Sequence, residues 1–95
     1  MDKRRKKPDM AQQLERRERL LAEITAGTLD VPAGIRRMRE AAFLTRDEYA
    51  RLVGVAPRAL AQIELGRANP TLATLEKIGK PFGLKIGYRL KAGKE

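Results

Sequence analysis

An all-α bundle of short helices, closed by one C-terminal strand, is the fold class this sequence predicts. Three observations carry it. Apolar residues recur three and four positions apart in five segments between Met10 and Ile78, the spacing of one helix face. Gly27, Pro32, Gly54, Pro57, Gly66, Pro70 and Pro81 punctuate those segments. From Leu84 to Lys91, apolar residues alternate with polar or small ones, the period of a half-buried strand. At 95 residues the chain can bury one compact core and carry an appendage, but it is too short for two cores.

The chain divides in order. Residues 1–8, MDKRRKKP, hold five basic side chains and no apolar pattern, so they read as a disordered arm that attracts polyanions or follows a phosphate backbone. Residues 9–27 predict a helix: Asp9 caps it, Gln12 closes the capping box three residues on, and Gly27 ends it. Met10, Leu14, Leu21 and Ile24 share its apolar face. That stripe must pack on the domain, on its copy in a second subunit or on another protein, and the second subunit is the favoured outlet. Thr28 to Val31 form a connector, and Asp30 and Pro32 mark the next helix, which buries Ile35, Met38 and Ala42 and turns Arg36, Arg37 and Arg39 outward.

The stretch from Leu44 to Gly66, LTRDEYARLVGVAPRALAQIELG, is the most informative. Thr45 is a capping residue, and Asp47 and Glu48 oppose the positive end of the helix dipole. Tyr49, Ala50, Leu52 and Val53 supply an inner face. Gly54 suits the left-handed backbone that ends this helix, and Val55 fills the corner below it. Pro57 starts a new helix at once, since its missing N–H falls where no partner exists. Leu60, Ile63 and part of Leu65 point inward, leaving Arg58, Ala59, Ala61 and Gln62 outside. Two helices around so tight a break can lay the second in a DNA major groove, where Arg bonds guanine and Gln bonds adenine.

The fourth core helix follows Asn69 and Pro70, with Thr71 as cap and Leu72, Leu75 and Ile78 inward. Pro81 stops or kinks it near Lys80, and Phe82 folds under as a plug. The strand at 84–91 then has no partner in its own chain, because no other segment alternates. The economical partner is the same strand of a second copy, antiparallel about a two-fold axis, burying Leu84, Ile86, Tyr88 and Leu90.

Residues 32–83 resemble the Cro/C1-type (Xre) helix-turn-helix family, the phage-repressor-like domain. The residues that carry the likeness are IRRMREAAFLT, RDEYARLVGV, APRALAQIELGR and NPTLATLEKIGKPFGL. The resemblance implies an all-α core of about five helices that binds operator DNA, usually as a dimer. It places Arg58, Ala61 and Gln62 where the family reads bases. Thr45, Arg46, Arg67 and Asn69 fall where it holds the DNA backbone, with Arg46 replacing a common Gln. Glu64 matches a frequent family acid and is expected to pair with an Arg inside the domain. Ala56 and Pro57 depart from the family, which usually has a hydroxyl cap and a polar first residue there, so specificity leans on Arg58 and Gln62. A strand after this domain is similar to what HipB-like antitoxins carry, with HigA-like antitoxins and free-standing repressors as other relatives.

Composition agrees and excludes. The net charge is +9, with 21 basic and 12 acidic residues, which suits phosphate-rich polymers. No apolar run approaches the ~20 residues that span a bilayer, and no secretory core follows the basic start, so a cytoplasmic protein, nucleoid-associated when bound to DNA, is expected. Cys, His and Ser are all absent, which removes disulfides, thiolate metal sites and the usual nucleophiles. No enzyme activity, metal or cofactor is expected. The leading reading is a dimeric repressor of double-stranded DNA, extended to an autoregulatory antitoxin with a cognate toxin as second partner. Two alternatives stand beside it: a toxin-neutralising interaction scaffold with little DNA specificity, and an RNA-binding protein.

Overall fold

The computed structural model describes residues 9–90. The basic arm at 1–8 and the last position of the expected strand, Lys91, lie outside that range. The described residues form five α-helices and one 3-10 turn, and no strand. They are α1 (Met10–Ala26), α2 (Val31–Ala41), α3 (Arg46–Val53), α4 (Pro57–Glu64), α5 (Leu72–Gly79) and the 3-10 turn Lys80–Phe82.

Side-chain oxygens set four of the five starts. Asp9 accepts from the Gln12 amide at 2.8 Å while the Gln12 side chain accepts from the Asp9 amide at 3.1 Å, and Thr45 and Glu48 repeat this reciprocal box on α3. Asp30 and Thr71 cap α2 and α5 through Ala33 and Thr74. Only α4 lacks a side-chain cap: Ala56 stands there and Pro57 opens the helix. Pro81 ends α5 as expected, and the chain tightens into the 3-10 turn that lowers Phe82 into the core.

The core joins all five helices. Leu20 of α1, Ile35 and Ala41 of α2, Tyr49 and Ala50 of α3, Leu60 and Ile63 of α4, Ile78 of α5 and Phe82 are all buried. α1 packs on α2, α4 packs on both α2 and α3, and α5 packs elsewhere on those same two helices. Full burial of a side chain such as Leu60 contributes roughly 1.5–3 kcal/mol.

Burial departs from the sequence expectation where charged side chains do apolar work. On α1 the buried residue is Leu20, which the expected stripe omitted, while Met10 and Leu14 are exposed and Leu21 only half-buried. The packed side of α1 runs through arginines: the Arg16 guanidinium sits 4.8 Å from the centre of the Phe43 ring, and Arg17 sits 5.1 Å from that of Phe82. Their guanidinium planes cover the rings, so the contacting face is not the most apolar one. Leu52, Leu65 and Leu72 are likewise exposed rather than inward, and Ala41 rather than Ala42 is the buried member of that pair. Phe43 is the only non-glycine described with positive φ, 57°. It ends α2 in the left-handed conformation, with the Leu44 amide reaching back to the Arg39 carbonyl at 3.3 Å.

Residues 84–90 form neither helix nor strand in the single chain. Leu84 tucks against Gly79, where an added Cβ would stand 3.1 Å from the Leu84 Cβ, and so belongs to its own protomer's core. Ile86, Tyr88 and Leu90 are exposed.

Candidate nucleic-acid interface

The α3–α4 unit is built from its inside outward. Gly54, at φ 77°, ends α3, and its amide and that of Val55 both bond the Ala50 carbonyl. Such a backbone disfavours any side chain, and the corner lets α4 begin three residues later. Tyr49 is completely buried, and its phenol donates to the Ile78 carbonyl at 2.6 Å, tying α3 to α5. Burial pushes the phenol's pKa well above the ordinary 10.0, so it stays protonated and donating.

With the inner face of α4 filled by Leu60 and Ile63, its outer face is left to Arg58, Ala59, Ala61 and Gln62. Arg58, Ala61 and Gln62 stand three and four positions apart and so share one helical stripe. Arg58 is exposed and Gln62 half-buried, and neither side chain makes a hydrogen bond or ion pair with another described residue. The stripe therefore presents one fork of donors, one methyl and one amide, groups of the kind that can meet base edges.

Glu64, at the last position of α4, is 1% exposed. Arg39 of α2 bonds it with two nitrogens, at 3.0 and 3.1 Å, and Arg46 of α3 reaches it at 3.5 Å. Arg36 adds a bond of 2.6 Å to the Glu64 carbonyl, where a cation also suits the negative end of α4. The bond to Glu64 raises the Arg39 pKa further, against the effect of its partial burial. A single carboxylate thus locks the recognition-type helix onto both neighbours. Sequence reasoning expected a pairing for Glu64 but turned Arg36 and Arg39 outward as solvent or phosphate ligands. The available signal was Glu64 itself: four residues after Leu60, it falls on the inner face, where a carboxylate needs a cation.

Of the expected backbone-holding residues, Arg46 touches this lock, and Thr45, Arg67 and Asn69 lie at the start of α3 and in the connector after α4. Arg46 is half-exposed and opens α3 beside Glu64. Thr45 accepts from the Glu48 amide, which leaves its own hydroxyl proton to donate outward. Arg67 and Asn69 are exposed in the connector that follows α4, after Gly66 has turned the chain with φ 72°. The expected interface residues Leu84, Ile86, Tyr88 and Leu90 lie outside this neighbourhood, on the C-terminal tail. Among the described residues, no group of acidic, His or Cys side chains could hold a metal ion, and no helix is long and apolar enough to cross a membrane.

Two short helices around a glycine corner, with a polar stripe on the second that pairs with no described residue, define the DNA-binding helix-turn-helix class. The helix-turn-helix family HTH_3 matches residues 35–89, more than half of the chain, and the protein belongs to this Cro/C1-type family of DNA-binding transcription regulators. The match takes in α3, α4, α5 and most of α2, and leaves α1 outside. Neither the curated proteins nor the solved structures contain a match to the chain.

Proposed function

We propose that the protein is a sequence-specific transcriptional repressor that binds an inverted-repeat operator in double-stranded DNA as a homodimer. The observation that carries this reading is the stripe on α4. Its polar side chains pair with no described residue, while the helix beneath them is locked by Leu60, Ile63 and Glu64. In this reading Arg58 bonds guanine O6 and N7, Gln62 bonds adenine N6 and N7, and the Ala61 methyl meets thymine. Thr45, Arg46, Arg67 and Asn69 hold phosphates and set the register.

The homodimer rests on the tail. Ile86, Tyr88 and Leu90 alternate, are exposed, and lie on a segment without secondary structure of its own. Antiparallel pairing with a second copy covers them and supplies the missing ladder. Two recognition helices then address half-sites roughly 34 Å apart. Occupying its own promoter makes the protein autoregulatory, and the tail's likeness to HipB-like antitoxins extends the reading to an antitoxin whose toxin is a second partner. Its place is then the cytoplasm, on the nucleoid when bound.

Selection of bound fragments from random duplexes, with mass measurement of the complex, tests the reading. The expected result is an inverted repeat bound by two subunits. A monomeric complex, or fragments without a shared sequence, would overturn it.

A further inference from the structure

We infer that an apolar groove away from α4 docks an acidic amphipathic helix of another protein. Two shallow clefts meet at Pro81. One is lined by Met10, Leu14 and Phe82, together with Ala41 and Ala42, and the other by Leu52 and Val53. Met10, Leu14 and Leu52 are 74, 53 and 59% exposed, which leaves large apolar side chains uncovered on α1 and α3, on either side of Pro81. Such a surface, rimmed by polar groups, marks a place where another apolar face sits.

The rim decides whose face it is. Arg17, Lys77 and Lys80 line the two clefts, and no carboxylate does. Arg17 is already stacked over Phe82, which holds its charge at the groove's edge. The chain's own candidates carry the wrong sign: the tail brings Lys85, Arg89 and Lys91, and the arm brings five basic residues. A second copy as a whole carries +9. Nucleic acid has the right charge but offers nothing to Met10, Leu14 and Leu52. An acidic helix with leucines at i, i+3, i+4 and i+7 satisfies both the floor and the rim.

The groove contains no residue of α4 or of the α4–α5 connector. A partner seated there leaves the DNA-facing stripe open, so the same molecule can hold duplex and partner together. The inference does not depend on DNA binding, because the groove is defined without it.

The probe is a synthetic amphipathic peptide of about four helical turns with Glu beside its leucines, compared with the same peptide carrying Lys and with a peptide of residues 84–91. Binding to the full chain is measured by fluorescence and located by amide shift mapping, with and without excess duplex. The acidic peptide alone should bind, shift Leu14, Leu52 and Phe82, and remain bound under duplex. Leu14→Ser and Leu52→Ser, at exposed positions that leave the fold intact, should each weaken it about tenfold. Absence of binding, displacement by duplex, shifts centred on α4, equal binding of either basic peptide, or full affinity in both Ser variants would overturn the inference. If duplex itself fails to bind, the shift map on the free protein decides alone.

Discussion

The α3–α4 unit and the two ends of the chain use apolar residues in opposite ways. In α3–α4 the inner positions are filled and paired: Tyr49, Leu60 and Ile63 are buried, and Glu64 is held by three arginines through its side chain and carbonyl. The outer stripe of α4, through Arg58 and Gln62, stays polar and makes no hydrogen bond or ion pair among the described residues, although Leu52 at the far end of α3 is exposed. At the ends the reverse holds, for Met10 and Leu14 on α1 and Tyr88 and Leu90 on the tail stay exposed. A helix whose inside is complete can offer a rigid outer stripe to DNA. An end whose apolar residues are uncovered is suited to another chain instead.

Breaking the lock should cost the most. Glu64→Ala removes the buried carboxylate that Arg39 and Arg46 both reach and should destabilise the domain by about 1.5–3 kcal/mol, read as a lower midpoint in urea unfolding. A loss below 1 kcal/mol would show that the ion pairs do not hold α4 in place. Next is the outer stripe, where Arg58→Ala should cost about 1–3 kcal/mol on the selected operator and relax preference at one base pair, with stability unchanged. Arg67→Ala should weaken all duplexes alike and lower the salt slope by about 1; a sequence-selective loss would place it among the base readers instead.

Tyr49 sharpens the comparison from the inside at smaller cost. Its folded pKa is raised above the unfolded 10.0, so its contribution is complete below pH 10 and is lost as pH climbs toward the folded value. Tyr49→Phe should cost about 1 kcal/mol at neutral pH, because the Ile78 carbonyl loses its donor, and should flatten the decline in stability above pH 10. An alkaline limb of the same slope in both proteins would assign that decline to other groups. The smallest stability effect belongs to the tail. Tyr88→Ser should change unfolding of the isolated protomer by less than ~0.5 kcal/mol while shifting the mass of the assembly toward one subunit.

Much of the bundle was legible in the sequence because its signals are local. Asp9, Asp30, Thr45 and Thr71 cap helices, Gly54 and Gly66 turn the chain, and Pro81 ends α5, each through chemistry within a few residues. Long-range choices were not legible. Period alone cannot say that Arg16 and Arg17 stack on Phe43 and Phe82, and so it directed α1 inward through Leu21 instead of Leu20. Nor can it say that Arg36 bends toward the Glu64 carbonyl, 28 residues away, and Arg39 toward the Glu64 carboxylate, 25 residues away. Leu52 and Leu72 fit the inner spacing of their helices yet remain outside, since a helix of eight residues has more apolar positions than its neighbours cover. In the site itself, Arg58, Ala61 and Gln62 could be placed on one stripe from spacing. That Glu64 pairs with an arginine was legible too, but not that Arg39, Arg46 and Arg36 are the ones that reach it.

Competition between the selected operator and a scrambled duplex of equal length, at physiological ionic strength, tests the central claim most directly. With the α4 stripe reading base edges, the operator should win by at least about 10³ in affinity, and Arg58→Ala should narrow that ratio. Equal affinity for both duplexes would contradict it, and would reduce the interaction to the attraction between a +9 chain and any polyanion.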